Sequence, residues 1–337
     1  MSRLFCVRSV VILLFFALSG CRSWFQSSDQ VLVREPGQRV YGDPVAVQKE
    51  AVNHWEYALL SQAAYLKAEE IAAAQGNTGK DAVDSRIATT AGKTESCPEP
   101  AAALLEAKWT YWKDFPDSHL RDEFKKVNLR VEVWERKTPP AVVVTFGGTV
   151  FESLNDWKSN LRWFLPIRDD EYTQLVKEFV PAFTTEYRRH VFIGNSKTPP
   201  IYSTGHSLGG GLAQQFAYAL PVKPDGLIVD RVIVFDPSPV TGYYSVEEGV
   251  RTRGAKRLVI DRVFERGEVL ASVRSILAFF YRPSEESPAV RAVRYNFEGI
   301  VNPITAHSMS RLACGLFETA KGQLGHRVES DDTTAGK

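Results

Sequence analysis

Ser207 lies between Gly205 and Gly209 in the stretch Ile201 to Gly211, IYSTGHSLGGG, directly after a strand-like run and before a helix-like one. This is a nucleophile-elbow pattern: a serine on so tight a turn has its hydroxyl pushed clear of both elements, and glycines alone let strand and helix approach there. A bare G-x-S-x-G arises by chance in roughly one chain in ten of this length, but the full GHSLGG is rarer by about four to five orders of magnitude. Serine attack on a carbonyl needs a base, and the base needs a partner that fixes its tautomer and stabilises its charged form. Of the six histidines, His54 and His119 precede the elbow, His206 adjoins it, His190 ends an Arg-rich helix and His326 is near the C-terminus. His307 comes after the last strand-like run, where the order serine, acid, histidine puts the base. Three carboxylates compete for the acid. Glu268 follows a strand by a short turn, Asp236 ends the preceding strand, and Asp261 lies within the later one; Glu268 also suits a helix N-terminus.

The elements that would position these groups alternate along the chain. Strand-like runs cover Leu129 to Val133, Ala141 to Phe146, Ile201 to Thr204, Leu227 to Phe235 and Leu258 to Phe264. Val52, Trp55, Leu59, Ala63 and Leu66 recur at helical steps and predict a helix from Val47 to Ala74. A second helix is expected over Tyr172 to Phe179, capped by Asp169 and Asp170 and kinked or ended at Pro181. The reading is an α/β fold, with a mainly parallel sheet and helices on both faces.

Several segments resemble the class 3, fungal-type lipase family of α/β hydrolases, whose nucleophile motif is GHSLGG. PAVVVTFGGT, Pro140 to Thr149, is similar to the family's strand and oxyanion turn. NDWKSNL, which holds Asn155, Asp156, Trp157, Asn160 and Leu161, resembles the D-W-x-x-D-L that follows it. ALLSQAAYL, Ala58 to Leu66, looks like the early helix with its tyrosine, here Tyr65, and AHSMSRL looks like the segment of the catalytic histidine. The resemblance spans roughly residues 55 to 312 and departs from the pattern at Gly147, Asn160 and the acid loop ERGEVL, Glu265 to Leu270. It implies Thr149 and the Leu208 amide as oxyanion donors, and Glu268 where the family has aspartate. It also implies a lid or acyl-binding wall from Trp157, Leu161, Trp163, Phe164 and Leu165, which composition alone reads equally well as core.

Arg3 and Arg8 flank the start of an apolar run, Val10 to Leu18, too short to span a bilayer, which is the layout of a secretory signal. Leu18-Ser19-Gly20-Cys21 resembles a bacterial lipobox, which implies lipidation of Cys21 and attachment to the cell envelope; Arg22, in place of the retention aspartate, implies the outer membrane. The expected layout is a signal at 1–20, a tether at 21–44, the hydrolase domain at 45–326 and a disordered tail at 327–337. In an oxidising compartment Cys97 and Cys314 form a candidate disulfide, and Cys314 equally suits a buried helix position. A bridge across so long a loop would constrain the unfolded chain by about 4–5 kcal/mol.

With 337 residues, 44% of them apolar, there is ample material for one large core, and a net charge of +1 gives no broad field for nucleic acid. No zinc-spaced cluster or phosphate-cradling loop is visible, so neither metal nor organic cofactor is expected. The expected function is hydrolysis of carboxylic esters of lipids through an acyl-serine. The alternatives are a non-catalytic envelope lipoprotein that uses the fold as a lipid- or protein-binding scaffold, and an acyltransferase. If the aromatic stretch is a lid or acyl wall, alanine at Trp157 and Trp163 lowers turnover of long-chain esters more than of short ones. Equal losses across acyl lengths assign the stretch to the core.

Overall fold

The structure is a computed structural model that describes residues 31–43, 45–65, 97, 100–148, 171–192, 198–221, 226–271, 274, 284–299 and 302–334. Cys21, Thr149 and the segment holding Trp157, Leu161, Trp163, Phe164 and Leu165 lie outside the described residues. In chain order the elements begin with β1 Val31–Arg34, β2 Tyr41–Asp43, α1 Val47–Ala63, α2 Pro100–Glu106, β3 Trp109–Tyr111, α3 Ser118–Lys126, β4 Val131–Lys137 and β5 Pro140–Phe146. There follow α4 Glu171–Gln174, a π-helical turn Leu175–Phe179, α5 Val180–Phe192, β6 Ile201–His206, α6 Leu208–Ala219 and β7 Arg231–Phe235. The chain continues with a 3₁₀ turn Tyr243–Ser245, α7 Glu248–Ala255, β8 Val259–Glu265, β9 Ala289–Tyr295, α8 Pro303–Ala306 and α9 Met309–Thr334.

The strands form one sheet in the order β2-β1-β9-β8-β7-β6-β5-β4-β3. From β5 to β9 neighbours are parallel; β4 and β3 extend one edge antiparallel, and β1 and β2 the other. The parallel strands are rich in β-branched residues because both faces are covered. From β5, Val142, Val144 and Phe146 enter one layer with Phe179, Phe183, Leu212 and Phe216 of the helices on that side. Ala141 and Val143 enter the other, with Leu59, Leu60, Leu312 and Leu316 of α1 and α9. Within the first layer the rings of Phe146, Phe179, Phe183 and Phe216 lie 5.3 to 5.9 Å apart, within the range of favourable edge and offset contacts. Cys97 and Cys314 form a disulfide that ties the start of α2 to α9, their Cα atoms 5.5 Å apart. Among the described residues, no helix is long and apolar enough to cross a membrane.

Four expectations change. Within residues 31–43, read as tether, Val31–Arg34 and Tyr41–Asp43 belong to the sheet: Val31 and Val33 are buried, and β1 pairs with β9 through the register Leu32 to Ala292. The first helix stops at Ala63, because its last turn tightens and Tyr65 swings to His206. Of the two readings of Pro181, a kink or an end, the end does not occur: the helix continues through it. The preceding π turn, closed by Val180 N–H to the Leu175 carbonyl, widens the coil where the proline ring would otherwise meet the carbonyl four residues back. The backbone of α9 continues helical to Thr334, past the residue 327 where a tail was expected, with no proline in its length to break it.

One buried carboxyl gives the fold a pH signature. Glu132 of β4 is enclosed by the sheet and takes a hydrogen bond from Trp134 Nε1 at 3.2 Å; burial pushes its carboxyl up to about 8, against the pull of that bond and of Arg130 and Arg121. The folded chain therefore holds this proton more tightly than the unfolded chain, and stability falls as pH rises from the ordinary carboxylate range through about 8. Denaturant midpoints at pH 5 and pH 9 are expected to differ for the wild type. Glu132→Gln, which keeps an acceptor for Trp134, narrows the gap.

Candidate functional site

The site is built where β6 turns into α6. Ser207 has φ 55° and ψ −122°, a strained conformation for a residue with a side chain, of the kind that costs about 1–3 kcal/mol. Three hydrogen bonds pin it: Ser207 N–H to the Phe235 carbonyl at 3.0 Å, and Ser238 and Gly210 N–H to the Ser207 carbonyl at 2.8 and 3.0 Å. Two glycines make the turn possible. A Cβ on Gly205 would stand 2.5 Å from the backbone of Gly209, and one on Gly209 would run into the Phe146 carbonyl oxygen. The strain is thus held by close backbone packing of α6 against β5 and β6.

Ser207 Oγ lies 3.0 Å from His307 Nε2, and His307 Nδ1 lies 2.9 Å from Glu268 Oε2. All three side chains are buried, with 7%, 8% and 2% of their residue surfaces exposed. His307 ends the short α8, whose Asn302 cap accepts the Ile304 N–H. Glu268 sits in the loop after β8 and accepts the Leu270 N–H at 2.7 Å. Arg274 forms an ion pair with Glu268, donates to the Pro237 carbonyl at 2.8 Å and lies over the Phe264 ring. Burial alone would raise the Glu268 carboxyl, but the Arg274 guanidinium, followed by the hydrogen bond and charge of His307, holds it below the usual carboxylate range. An ionised Glu268 accepts the proton on Nδ1, which leaves Nε2 free to accept from the Ser207 hydroxyl.

Behind His307 stands His206, ring centroids 4.6 Å apart. Tyr65 Oη donates to His206 Nδ1 at 2.7 Å. Burial and the neighbouring His307 hold His206 far below the ordinary histidine range, so it is neutral and packs against His307 without competing for its proton. Asp236 is also here, directly after β7, whereas Asp261 is held elsewhere: it pairs with His54, Arg231 and Arg291 and lines a separate cleft of about 260 Å³ with Tyr57, Tyr202 and Arg136. Leu208 opens α6, so its N–H is one of the first-turn amides that have no partner within a helix. The sequence reading did not include Arg274 or the approach of His206 to His307. Proximity of His206 to Ser207 in the chain was the one available sign of the latter; Arg274 carries no motif.

A mainly parallel sheet with helices on both faces, a serine on a strand-to-helix turn and a histidine and carboxylate arriving from later loops define the α/β-hydrolase class of fold. No family model matches the chain, and no curated protein matches it. Among solved structures it is similar to a fungal lipase in an inhibitor complex, at 16% identity over 64% of this chain and 72% of that one, with a TM-score of 0.37. It is also similar to the Rhizomucor miehei lipase propeptide complex in its native form, at 13% identity, coverage of 75% and 71% and a TM-score of 0.42. For a deletion mutant of that complex the values are 14%, 72% and 67%, and 0.38.

If the glycine packing sets the elbow, Gly209→Ala must push α6 from β5, and a fall in the thermal midpoint of several degrees or more is expected. At Gly322 in α9 a Cβ would point into open space, so Gly322→Ala is expected to stabilise by about 0.5–1 kcal/mol. Differential scanning calorimetry of the two variants separates a packing glycine from an incidental one.

Proposed function

We propose that the protein is a serine hydrolase that cleaves carboxylic esters of lipids, of lipase or phospholipase type, through an acyl-Ser207 intermediate. The observation that carries the reading is the continuous hydrogen-bonded line from Ser207 Oγ through His307 to Glu268. Ser207 Oγ attacks the ester carbonyl carbon as His307 Nε2 takes its proton, and Glu268 stabilises the imidazolium so formed. The Leu208 amide, at the positive end of α6, and Thr149 stabilise the oxyanion, each donor contributing about 2.7–4 kcal/mol. Collapse of the tetrahedral intermediate breaks the bond to the alkoxy oxygen, which leaves with the proton from Nε2. Water then repeats the sequence on the acyl-enzyme and restores Ser207.

The lipid character of the substrate is supported by the aromatic run Trp157 to Leu165 next to the oxyanion turn and by the lipobox-like start, which would tether the domain to an envelope membrane through acylated Cys21, the outer membrane being the proposed location. Ser207→Ala and His307→Ala are each expected to lower p-nitrophenyl ester hydrolysis by about 10⁴-fold or more, with wild-type rates rising toward long acyl chains. Rates that do not depend on Ser207 contradict the reading. In bacterial cells, Cys21→Ser is expected to abolish labelling by a clickable palmitate analogue.

A further inference from the structure

Asp236 is the most deeply buried carboxyl of the site, with 0% of its surface exposed. It takes φ 39°, its N–H donates to the Val263 carbonyl at 2.9 Å, and its Oδ1 accepts the Glu265 N–H at 3.1 Å. Those contacts account for half of the carboxyl. Oδ2 is enclosed and meets no hydrogen-bond partner. One oxygen of Asp236, a ring nitrogen of His206 and a ring nitrogen of His307 lie within 4.8 Å of one another. The charged and titratable groups facing Asp236 are Tyr65 from the end of α1, His206 from β6, Glu265 from β8, Glu268 and Arg274 from the loop beyond β8, and His307.

We propose that Asp236 is a second carboxyl serving His307, a positioning residue that takes over the orientation of the imidazole when Glu268 loses its charge. The inference rests on the serine-hydrolase reading of the site. In the resting site Glu268 and Arg274 cancel each other, and burial together with the Glu268 charge keeps Asp236 protonated, Arg274 pulling the other way. Neutralising Glu268 removes the like charge that holds the proton on Asp236 and frees Arg274 to favour its carboxylate. The result is an ionised carboxylate facing an imidazole that has lost its partner.

The test uses the full chain as wild type, Glu268→Gln, Asp236→Asn, the double variant and Ser207→Ala, each assayed from pH 5 to pH 9 by the rate of fluorophosphonate labelling of Ser207 and by ester hydrolysis. An unsupported histidine costs about 10⁴-fold. Glu268→Gln is expected to lose only about 10²-fold, with a residual rate that climbs with pH as Asp236 ionises. Adding Asp236→Asn removes at least another tenfold and abolishes the climb. Asparagine suits the positive φ and keeps an acceptor for the Glu265 N–H, and Asp236→Gly in the same background suits the φ without the amide and is expected to behave alike. If Glu268→Gln and both double variants share one rate and one pH profile, Asp236 only shapes the turn and the inference is overturned. Failure of wild-type Ser207 to label is a different failure: it overturns the hydrolase reading and this inference with it.

Discussion

The approach of α6 to β5 and β6 at Gly205 and Gly209 decides where every reactive group sits. With no side chain at either position, the helix lies so close that the backbone of Gly209 faces the Phe146 carbonyl directly, and the chain has no room to turn from strand to helix except through a residue at positive φ. Ser207 is that residue. The same packing puts its carbonyl within reach of the Ser238 and Gly210 amides and its N–H against Phe235, so the strain is distributed over neighbouring strand ends. The aromatic layer of Phe146, Phe179, Phe183 and Phe216 beneath the turn makes the arrangement stiff, since close-packed rings at 5.3 to 5.9 Å leave little volume for relaxation.

Above that turn the site is an electrostatic problem centred on the Arg274 guanidinium. Arg274 acts on two buried carboxyls with opposite outcomes: Glu268, in direct contact, is held below the usual carboxylate range, and Asp236, whose Oδ2 has no hydrogen-bond partner, is held well above it by burial and the Glu268 charge. The resting site is then close to neutral, which suits its burial, and Glu268, 2.9 Å from His307 Nδ1, is placed to meet the charge that the proposed serine attack puts on His307. His206, neutral and backed by Tyr65, fills the remaining side of His307 without adding a charge. The segment before Thr149 is thereby linked to the histidine, because Tyr65 reaches the Gly148 amide as well as His206.

Much of this was legible in the chain because the elbow is a local signal: GHSLGG fixes a turn within six residues, and the serine-acid-histidine order follows from strand succession. The parallel strands announced themselves as β-branched runs such as VVV at 142–144. What escaped was carried by pairing at a distance. The four residues of β1 are too few for a period-2 pattern to stand out, and their burial depends on β9, near the other end of the chain. β9 itself, AVRAVRY, places arginines among its apolar residues, and Arg291 is accommodated by ion pairs with Glu50 and Asp261 that no local reading foresees. Asp261 is the same lesson inverted: a carboxylate in the right strand, committed to His54 and two arginines away from the reactive serine. Pro181, read as the point where its helix kinks or ends, lies one residue into a helix that continues directly from a π turn.

The central claim is that Ser207 becomes covalently acylated with His307 as its base. The direct measurement is intact mass spectrometry of protein quenched in acid within milliseconds of mixing with a long-chain p-nitrophenyl ester, followed by peptide mapping. The account predicts a mass increase equal to one acyl group on the peptide that contains Ser207, transient in the wild type and absent in Ser207→Ala and His307→Ala. Turnover without any acylated species, or an acyl group on another residue that survives Ser207→Ala, would contradict it.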